Sequence, residues 1–333
     1  MLHDERQLGN AQRANVPTYH GILNIDKPSG WTSHDVVAKV RRLLGQKSVG
    51  HAGTLDPMAT GVLLVCVGKA TRVADYLMAG RKVYRATVEL GHETDTYDVE
   101  GATLATAAVP ALTDADLRAA LGRFIGAIEQ TPPAYSAIKQ AGVPAYRKAR
   151  RGEVVALPPR QVTIHSIDLL EWRSPYVTLD VACDPGTYIR SLAHDLGETL
   201  GCGGTLAKLT RLQSGSFRVE DGVSLDALAE AAQVGQIMRC LHPLRAALSA
   251  LTPMTVDDET VARLVHGQPI PCAVTPETLE GYALQADGSV AAILAYNAAD
   301  DQWWPRKVFA TNGEWRIADQ THQVSRITFV EST

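Results

Sequence analysis

The chain has 333 residues, 45% of them hydrophobic and 20% charged, with a formal net charge of −4. This suits one large domain, or one of roughly 200–250 residues with a small companion. No stretch approaches the ~20 uninterrupted apolar residues of a membrane-spanning helix, and the acidic balance weighs against binding nucleic acid by bulk charge. Residues 1–19 are polar, carry both charge signs and lack an apolar core, so they read as a flexible leader and not as a signal peptide. Cys66, Cys183, Cys202, Cys240 and Cys272 are odd in number and widely spaced, without a C-x-x-C pair. That argues against a disulfide framework or a zinc site and fits a reducing cytoplasm.

Gly21–Asp26 reads as a short strand closed by the turn Lys27-Pro28-Ser29-Gly30. Ser33 is placed to cap a helix whose apolar positions Val36, Val37, Val40, Leu43 and Leu44 follow helical spacing, with Gly45 closing it. Residues 50–57 form a loop, and the unbroken apolar run 62–67 reads as a buried strand. A short amphipathic helix follows over 71–79. Residues 83–90 alternate, with Tyr84, Ala86, Val88 and Leu90 on one face of a strand. Thr113 opens a helix running to Ile125. Residues 162–170 and 176–183 pair as strands, and 188–200 is a helix ended by Gly201. Helices are expected over 225–231 and 236–248. The character changes near residue 250: a short helix over 260–266, then Trp303, Trp304, Trp315 and a β-rich tail over 326–330. Strands and helices without regular βαβ alternation indicate an α+β fold.

Charge is unevenly distributed. Between Lys139 and Arg160 the bases Lys139, Arg147, Lys148, Arg150, Arg151 and Arg160 face Glu153 alone, a local +5. Tyr135 and Tyr146 interleave with them, and prolines flank the stretch. It reads as an excursion suited to backbone and stacking contacts with RNA, although a basic run is as often a solvated face.

Little else points to chemistry. A single Asp in a Gly/Pro loop usually makes a turn. No Ser-His-Asp order and no phosphate loop is visible; residues 201–204 (GCGG) lack the Lys and Ser/Thr of one. The stretch Gly50-His51-Ala52-Gly53-Thr54-Leu55-Asp56-Pro57-Met58-Ala59-Thr60-Gly61, however, resembles the signature of TruB-type tRNA pseudouridine-55 synthases. Four more blocks agree in order: GILNIDKPSG at 21–30, the acidic block at 91–101 with Thr94-Asp95-Thr96-Tyr97-Asp98, PPAYSAIKQAGVPAYRKARRG at 132–152, and GTYIRSLAHDLGETLG at 186–201. Together they span about 20–215. Ala52 stands where many members carry Thr, and the acidic net charge is unusual for an RNA enzyme.

The resemblance implies a pseudouridine synthase-like, mixed and mainly antiparallel sheet flanked by helices. It implies a catalytic domain over 20–250 with an RNA-gripping insertion at about 131–160, and a small β-rich PUA-like domain over 251–333. The implied activity turns the uridine at position 55 of the tRNA T-loop into pseudouridine after flipping it out of the stack. No redox change occurs, so no cofactor or metal is expected. Asp56 matches the nucleophile, Arg190 the arginine that keeps it ionised, and Tyr84 the tyrosine that stacks on the base and handles a proton. His51 matches the residue that fills the vacated place, and Tyr188 and Leu209 match contacts to the flipped uracil. Lys27 and Pro28 match supports beneath Tyr84, and Asp98 a group behind the site. Lys139, Arg147, Lys148, Arg150 and Arg151 match backbone contacts to the T-arm. The implied protein is a cytoplasmic monomer that needs no protein partner. Two other readings are an RNA-folding factor with an idle site, which can also coexist with catalysis, and a synthase acting on another RNA.

Overall fold

The computed structural model describes residues 18–136, 138–140, 142–149, 151, 153, 155–272, 276 and 278–310. The leader up to residue 17, Arg150, Trp315 and the strand expected over 326–330 lie outside the described residues, as do the side chains of Lys139 and Tyr146. The chain divides into two compact units between Pro243 and Leu244.

The first unit begins with β1 (Gly21–Lys27), α1 (Ser33–Leu44), β2 (Val49–His51), β3 (Thr60–Val67), α2 (Ala74–Ala79) and β4 (Lys82–Leu90). The acidic block forms a hairpin of β5 (His92–Thr94) and β6 (Thr103–Thr106). α3 (Asp114–Gly122) and β7 (Gly126–Gln130) lead into the basic excursion, which holds β8 (Lys139–Gln140), β9 (Val143–Pro144) and α4 (Ala145–Ala149). Then come β10 (Arg160–Arg173), β11 (Tyr176–Cys183), α5 (Ile189–Leu200), β12 (Gly204–Ser214), β13 (Phe217–Arg218), α6 (Leu225–Gln233) and β14 (Leu241–His242).

One mixed sheet organises this unit, in the order β14-β1-β3-β12-β4-β11-β10-β7. All neighbours along it are antiparallel except β3 and β12, which run parallel and meet at Thr60/Thr210 and Gly61/Arg211. β3 is buried over 61–67, paired with β1 along that length, with β12 at its start and with β2 at its end, which fits its unbroken apolar run. Gly61 has φ +91°, and a Cβ there would sit 2.3 Å from the Arg211 carbonyl oxygen, so only glycine lets the two strands approach.

Four expectations need correction. The N-cap of α1 is Thr32, not Ser33: Thr32 Oγ1 accepts from the Asp35 amide at 3.1 Å and Asp35 Oδ2 accepts from the Thr32 amide at 3.0 Å. The helix expected over 113–125 ends at Gly122, and Gly126 at φ +103° starts the short strand β7. The 71–79 helix is a 3-10 turn over Gly68–Val73 followed by α2. The 236–248 helix does not form. Two 3-10 turns, Ile237–Cys240 and Leu244–Leu248, flank β14, because Pro243 offers no N–H and disfavours a helical His242.

The second unit carries a five-stranded sheet, β15 (Thr252–Thr255), β17 (Glu280–Leu284), β18 (Val290–Asn297), β19 (Gln302–Val308) and β16 (Ile270–Pro271) in that order, with α7 (Asp258–Val265). Leu264, Ile270, Ala283, Ala292, Leu294 and Trp303 form its core. Among the described residues no helix is long and apolar enough to cross a membrane.

Candidate active site

The loop between β2 and β3 is fixed on every side by groups from other elements. Ser33, freed from capping, turns its Oγ inward, where it accepts from the Leu55 amide at 2.9 Å and donates to the Leu55 carbonyl at 3.1 Å. Lys27, at the end of β1, is wholly buried and donates to the carbonyls of Trp31 at 2.6 Å, Pro28 at 2.9 Å and Pro57 at 3.1 Å. Burial pulls its amine down to about 8. The Lys-Pro turn thus braces the Asp56 loop. The expected support beneath Tyr84 is placed under Pro57 instead, and Pro28 itself is exposed. From the other side Arg211 donates to the carbonyls of Gly53 at 3.1 Å, Thr54 at 3.5 Å and Val62 at 2.6 Å.

Asp56 projects from this loop into a cleft of about 350 Å³ lined also by Lys82, Tyr84, Tyr135, Ser136, Asp184, Tyr188, Arg190, Leu209 and Arg211. Arg190, in the first turn of α5, meets it with two bonds, Nε to Oδ2 at 3.0 Å and Nη2 to Oδ1 at 3.2 Å. This is the bidentate fork that suits a carboxylate. The remaining donors are also satisfied: Nη1 reaches the Thr96 carbonyl at 3.1 Å and Asp98 Oδ2 at 3.5 Å, and Nη2 the Tyr135 carbonyl at 3.0 Å. Asp98 is buried, and its Oδ1 accepts from Thr96 Oγ1 and the Glu100 amide. Burial pushes the Asp56 carboxyl above its ordinary value, the Arg190 charge opposes that, and Asp98 adds to it. A third of the Asp56 side chain stays open to the cleft, against 6% for Arg190.

The cleft walls come from the sheet and from α5. Tyr84 on β4 faces inward, with Ala86 and Val88 continuing the same face into the core. Burial raises its phenol, and Arg211, its direct cross-strand partner, opposes that rise by charge and hydrogen bonding. Tyr188 is held through its backbone, its amide and carbonyl both bonded by the buried Gln130 side chain at 2.8 and 3.0 Å. Leu209 on β12 is buried and joins the core below the cleft.

Thus Asp56, Tyr84, Tyr188, Arg190 and Leu209 line one cleft, with Asp98 directly behind. His51, Lys27 and Pro28 do not line it. His51 ends β2 in edge contact with the His34 ring of α1 at 5.4 Å, and burial lowers its pKa. Arg147, Lys148 and Arg151 also stand off it: Arg147 and Arg151 are exposed, Lys148 is half-buried, and Arg151 lies 3.9 Å from Glu153. Among the described residues of the excursion, Tyr135 and Ser136, where it leaves the core, reach the cleft.

Sequence reasoning missed three features. Arg211 sits on the same face of β12 as Leu209, and that spacing was its only signal. Lys82 donates to the carbonyls of Leu77, Met78 and Gly80 at the end of α2. Tyr97, at φ +64°, stacks on His194, one helical turn beyond Arg190, with ring centroids 4.1 Å apart. A non-glycine residue in that region is held by its surroundings, and the stack anchors the acidic hairpin to α5.

Residues 41–189 match the model of the TruB family pseudouridylate synthase N-terminal domain, and residues 190–249 that of the tRNA pseudouridylate synthase B C-terminal domain. A protein named tRNA pseudouridine synthase B from Xanthomonas campestris pv. campestris is 44% identical over 291 residues, 87% of this chain and 94% of that one. One of the same name from Dehalococcoides mccartyi is 44% identical over 302 residues, 90% and 100% of the two chains. A chain in the crystal structure of a Cbf5-Nop10-Gar1 complex shares the fold, with a TM-score of 0.68 and 26% identity over 87% of this chain and 85% of that one. With a pseudouridine synthase fold and identity of this extent to such relatives, the chain belongs to the TruB family of pseudouridylate synthases.

Proposed function

We propose that this isomerase-class enzyme converts uridine 55 in the T-loop of tRNA to pseudouridine, with Asp56 as the nucleophile. The observation that carries the reading is the Asp56–Arg190–Asp98 arrangement: a carboxylate open to a cleft, with an otherwise buried guanidinium locked onto it by a second carboxylate and two carbonyls. Such an arrangement presents an oriented, charged oxygen to an electrophilic carbon. Asp56 forms a bond to C1′ as the N1–C1′ bond breaks. The detached uracil is kept between Tyr84, Tyr188 and Leu209, turns, and rejoins C1′ through C5. The net change moves one proton from C5 to N1 and needs no external reagent.

The target base is stacked in the T-loop, and extruding it costs a few kcal/mol. The His51–His34 edge pair beside the Asp56 loop supplies flat imidazole rings to fill the gap, and burial favours the neutral form of His51. The basic excursion supports backbone contacts to the T-arm, and the small β-rich unit, with Trp304 exposed, is read as an RNA-binding domain of the PUA type.

The test uses tRNA transcribed with tritium at uracil C5. The purified chain is expected to release tritium from this transcript and to release none attributable to position 55 once that uridine is replaced by cytidine. Undiminished release after the replacement places the reaction at another uridine. Tight tRNA binding with no release at all favours a folding factor with an idle site.

A further inference from the structure

Arg211 is the largest of the fully buried side chains, yet among the described residues no carboxylate forms an ion pair with it. Its backbone partners are three carbonyls, those of Gly53, Thr54 and Val62, and its side-chain partner is the Tyr84 phenol. Arg190, the other buried guanidinium of the cleft, is matched by two carboxylates. A buried charge without a counter-ion is costly, so its retention in the wall of a reaction cleft calls for a partner that becomes negative there.

The register names that partner. Arg211 on β12 and Tyr84 on β4 are opposed Cα partners, and both side chains line the cleft. The other ionisable groups acting on this pair are Asp56 from the loop, Lys82 next along β4, Cys183 on β11, Lys27 on β1 and His51 on β2. Of these only Asp56 is a carboxylate, and it is already engaged by Arg190.

We propose that Arg211 is a positioning residue for the proton transfer: its guanidinium ties the Asp56 loop to the Tyr84 phenol and holds the negative charge on the phenol oxygen while its proton is away. The inference rests on the pseudouridine-forming reading above. The proton account balances on one phenol. As the C1′–N1 bond breaks, its electron pair stays on N1 and takes the Tyr84 proton, while Asp56 bonds to C1′ and a phenolate is left. After the base turns, C5 bonds to C1′ and the Asp56 carboxylate leaves with its pair. The phenolate then removes the C5 proton, and the C5–H pair restores the C5–C6 double bond. Tyr84 ends as it began, and between the two transfers Arg211 faces an anion.

The experiment compares wild type with Arg211→Met and Arg211→Lys on tRNA carrying hydrogen or deuterium at the target C5, measuring kcat, KM and the isotope effect on kcat. Because a positioned proton-transfer group contributes about 10²–10⁴-fold, Arg211→Met is expected to lower kcat about 10²-fold with KM for tRNA nearly unchanged. Its C5 isotope effect is expected to rise above the wild-type value, since C5–H cleavage becomes slower than the other steps. Arg211→Lys, which keeps the charge but loses the fork, is expected to lose less kcat and to move the isotope effect in the same direction. It also gives the reading if the Met variant does not fold. A kcat loss with an unchanged isotope effect, a loss carried by KM, or no loss overturns the assignment: the first two describe an arginine that only holds the loop. Absence of pseudouridine formation by the wild type is a separate failure, that of the underlying reaction.

Discussion

Replacing Arg190 by Gln tests whether the guanidinium works by keeping Asp56 ionised. The two carboxylate contacts, at 3.0 and 3.2 Å, put the charge centres roughly 4 Å apart, worth about 4 kcal/mol at an effective dielectric constant of about 20. Asp56 is one-third exposed, and discounting by half for solvent screening leaves ~2 kcal/mol. Burial already holds the Asp56 carboxyl above its ordinary value in spite of Arg190, and Asp98 pushes in the same direction. The ionised form is the reactive one, so activity is lost as pH falls through the carboxyl's titration. The acid limb of kcat/KM for tritium release, followed from about pH 5 to 8.5, is therefore expected to move to higher pH in Arg190→Gln. Thermal melting across the same range separates this from unfolding, because the Thr96 and Tyr135 carbonyls also lose a donor. A variant that loses activity equally at every pH, with the limb unmoved, refutes the electrostatic role.

The remaining predictions concern the supports of the site and its substrate. Ser33→Ala removes both bonds to Leu55 and is expected to cost about 1–2 kcal/mol and to lower kcat. Thr32→Ala removes the exposed cap, costs about 1 kcal/mol and leaves kcat alone; urea melts and tritium release distinguish the two. Lys27 titrates at about 8 in the fold against 10.5 in the free side chain, so the unfolded chain binds more protons between those values. Its burial cost is fully present below pH 8 and is relieved as pH rises toward 10.5. Lys27→Met is expected to flatten that alkaline gain in urea melts at pH 7.5 and 10 while lowering kcat through the orphaned Pro57 carbonyl. Arg147→Ala, Lys148→Ala and Arg151→Ala together are expected to weaken tRNA binding at 50 mM salt more than at 200 mM and to reduce the salt slope by roughly two to three, read by filter binding.

The parts of this molecule that sequence made legible are those where local pattern and packing agree. The apolar positions of α1 follow one helical face, Gly201 caps α5 in the left-handed conformation, and the unbroken run of β3 reflects burial on both faces. The site residues were legible through motif resemblance and not through composition, since an Asp in a Gly/Pro loop is chemically ordinary. The central strand β12 escaped notice because register shifts between Leu206 and Lys208 and between Arg211 and Gln213 break its alternation, and because a fully buried arginine occupies an inward position. Ser33 looked like a cap because its spacing fitted one; the adjacent Thr32 took the cap and left the hydroxyl for Leu55. Pro243 interrupts the stretch whose apolar spacing suggests a helix over 236–248, and its missing N–H outweighs that spacing. The Tyr97–His194 stack joins residues 97 positions apart and has no local signal.

The central claim is that Asp56 is the reacting carboxylate. Asn keeps the shape and removes the charge, so tritium release from C5-labelled tRNA by Asp56→Asn, measured where the variant binds tRNA as tightly as wild type, is the direct test. The account predicts release by wild type and a loss of at least about 10³-fold in the variant; comparable release by both contradicts it.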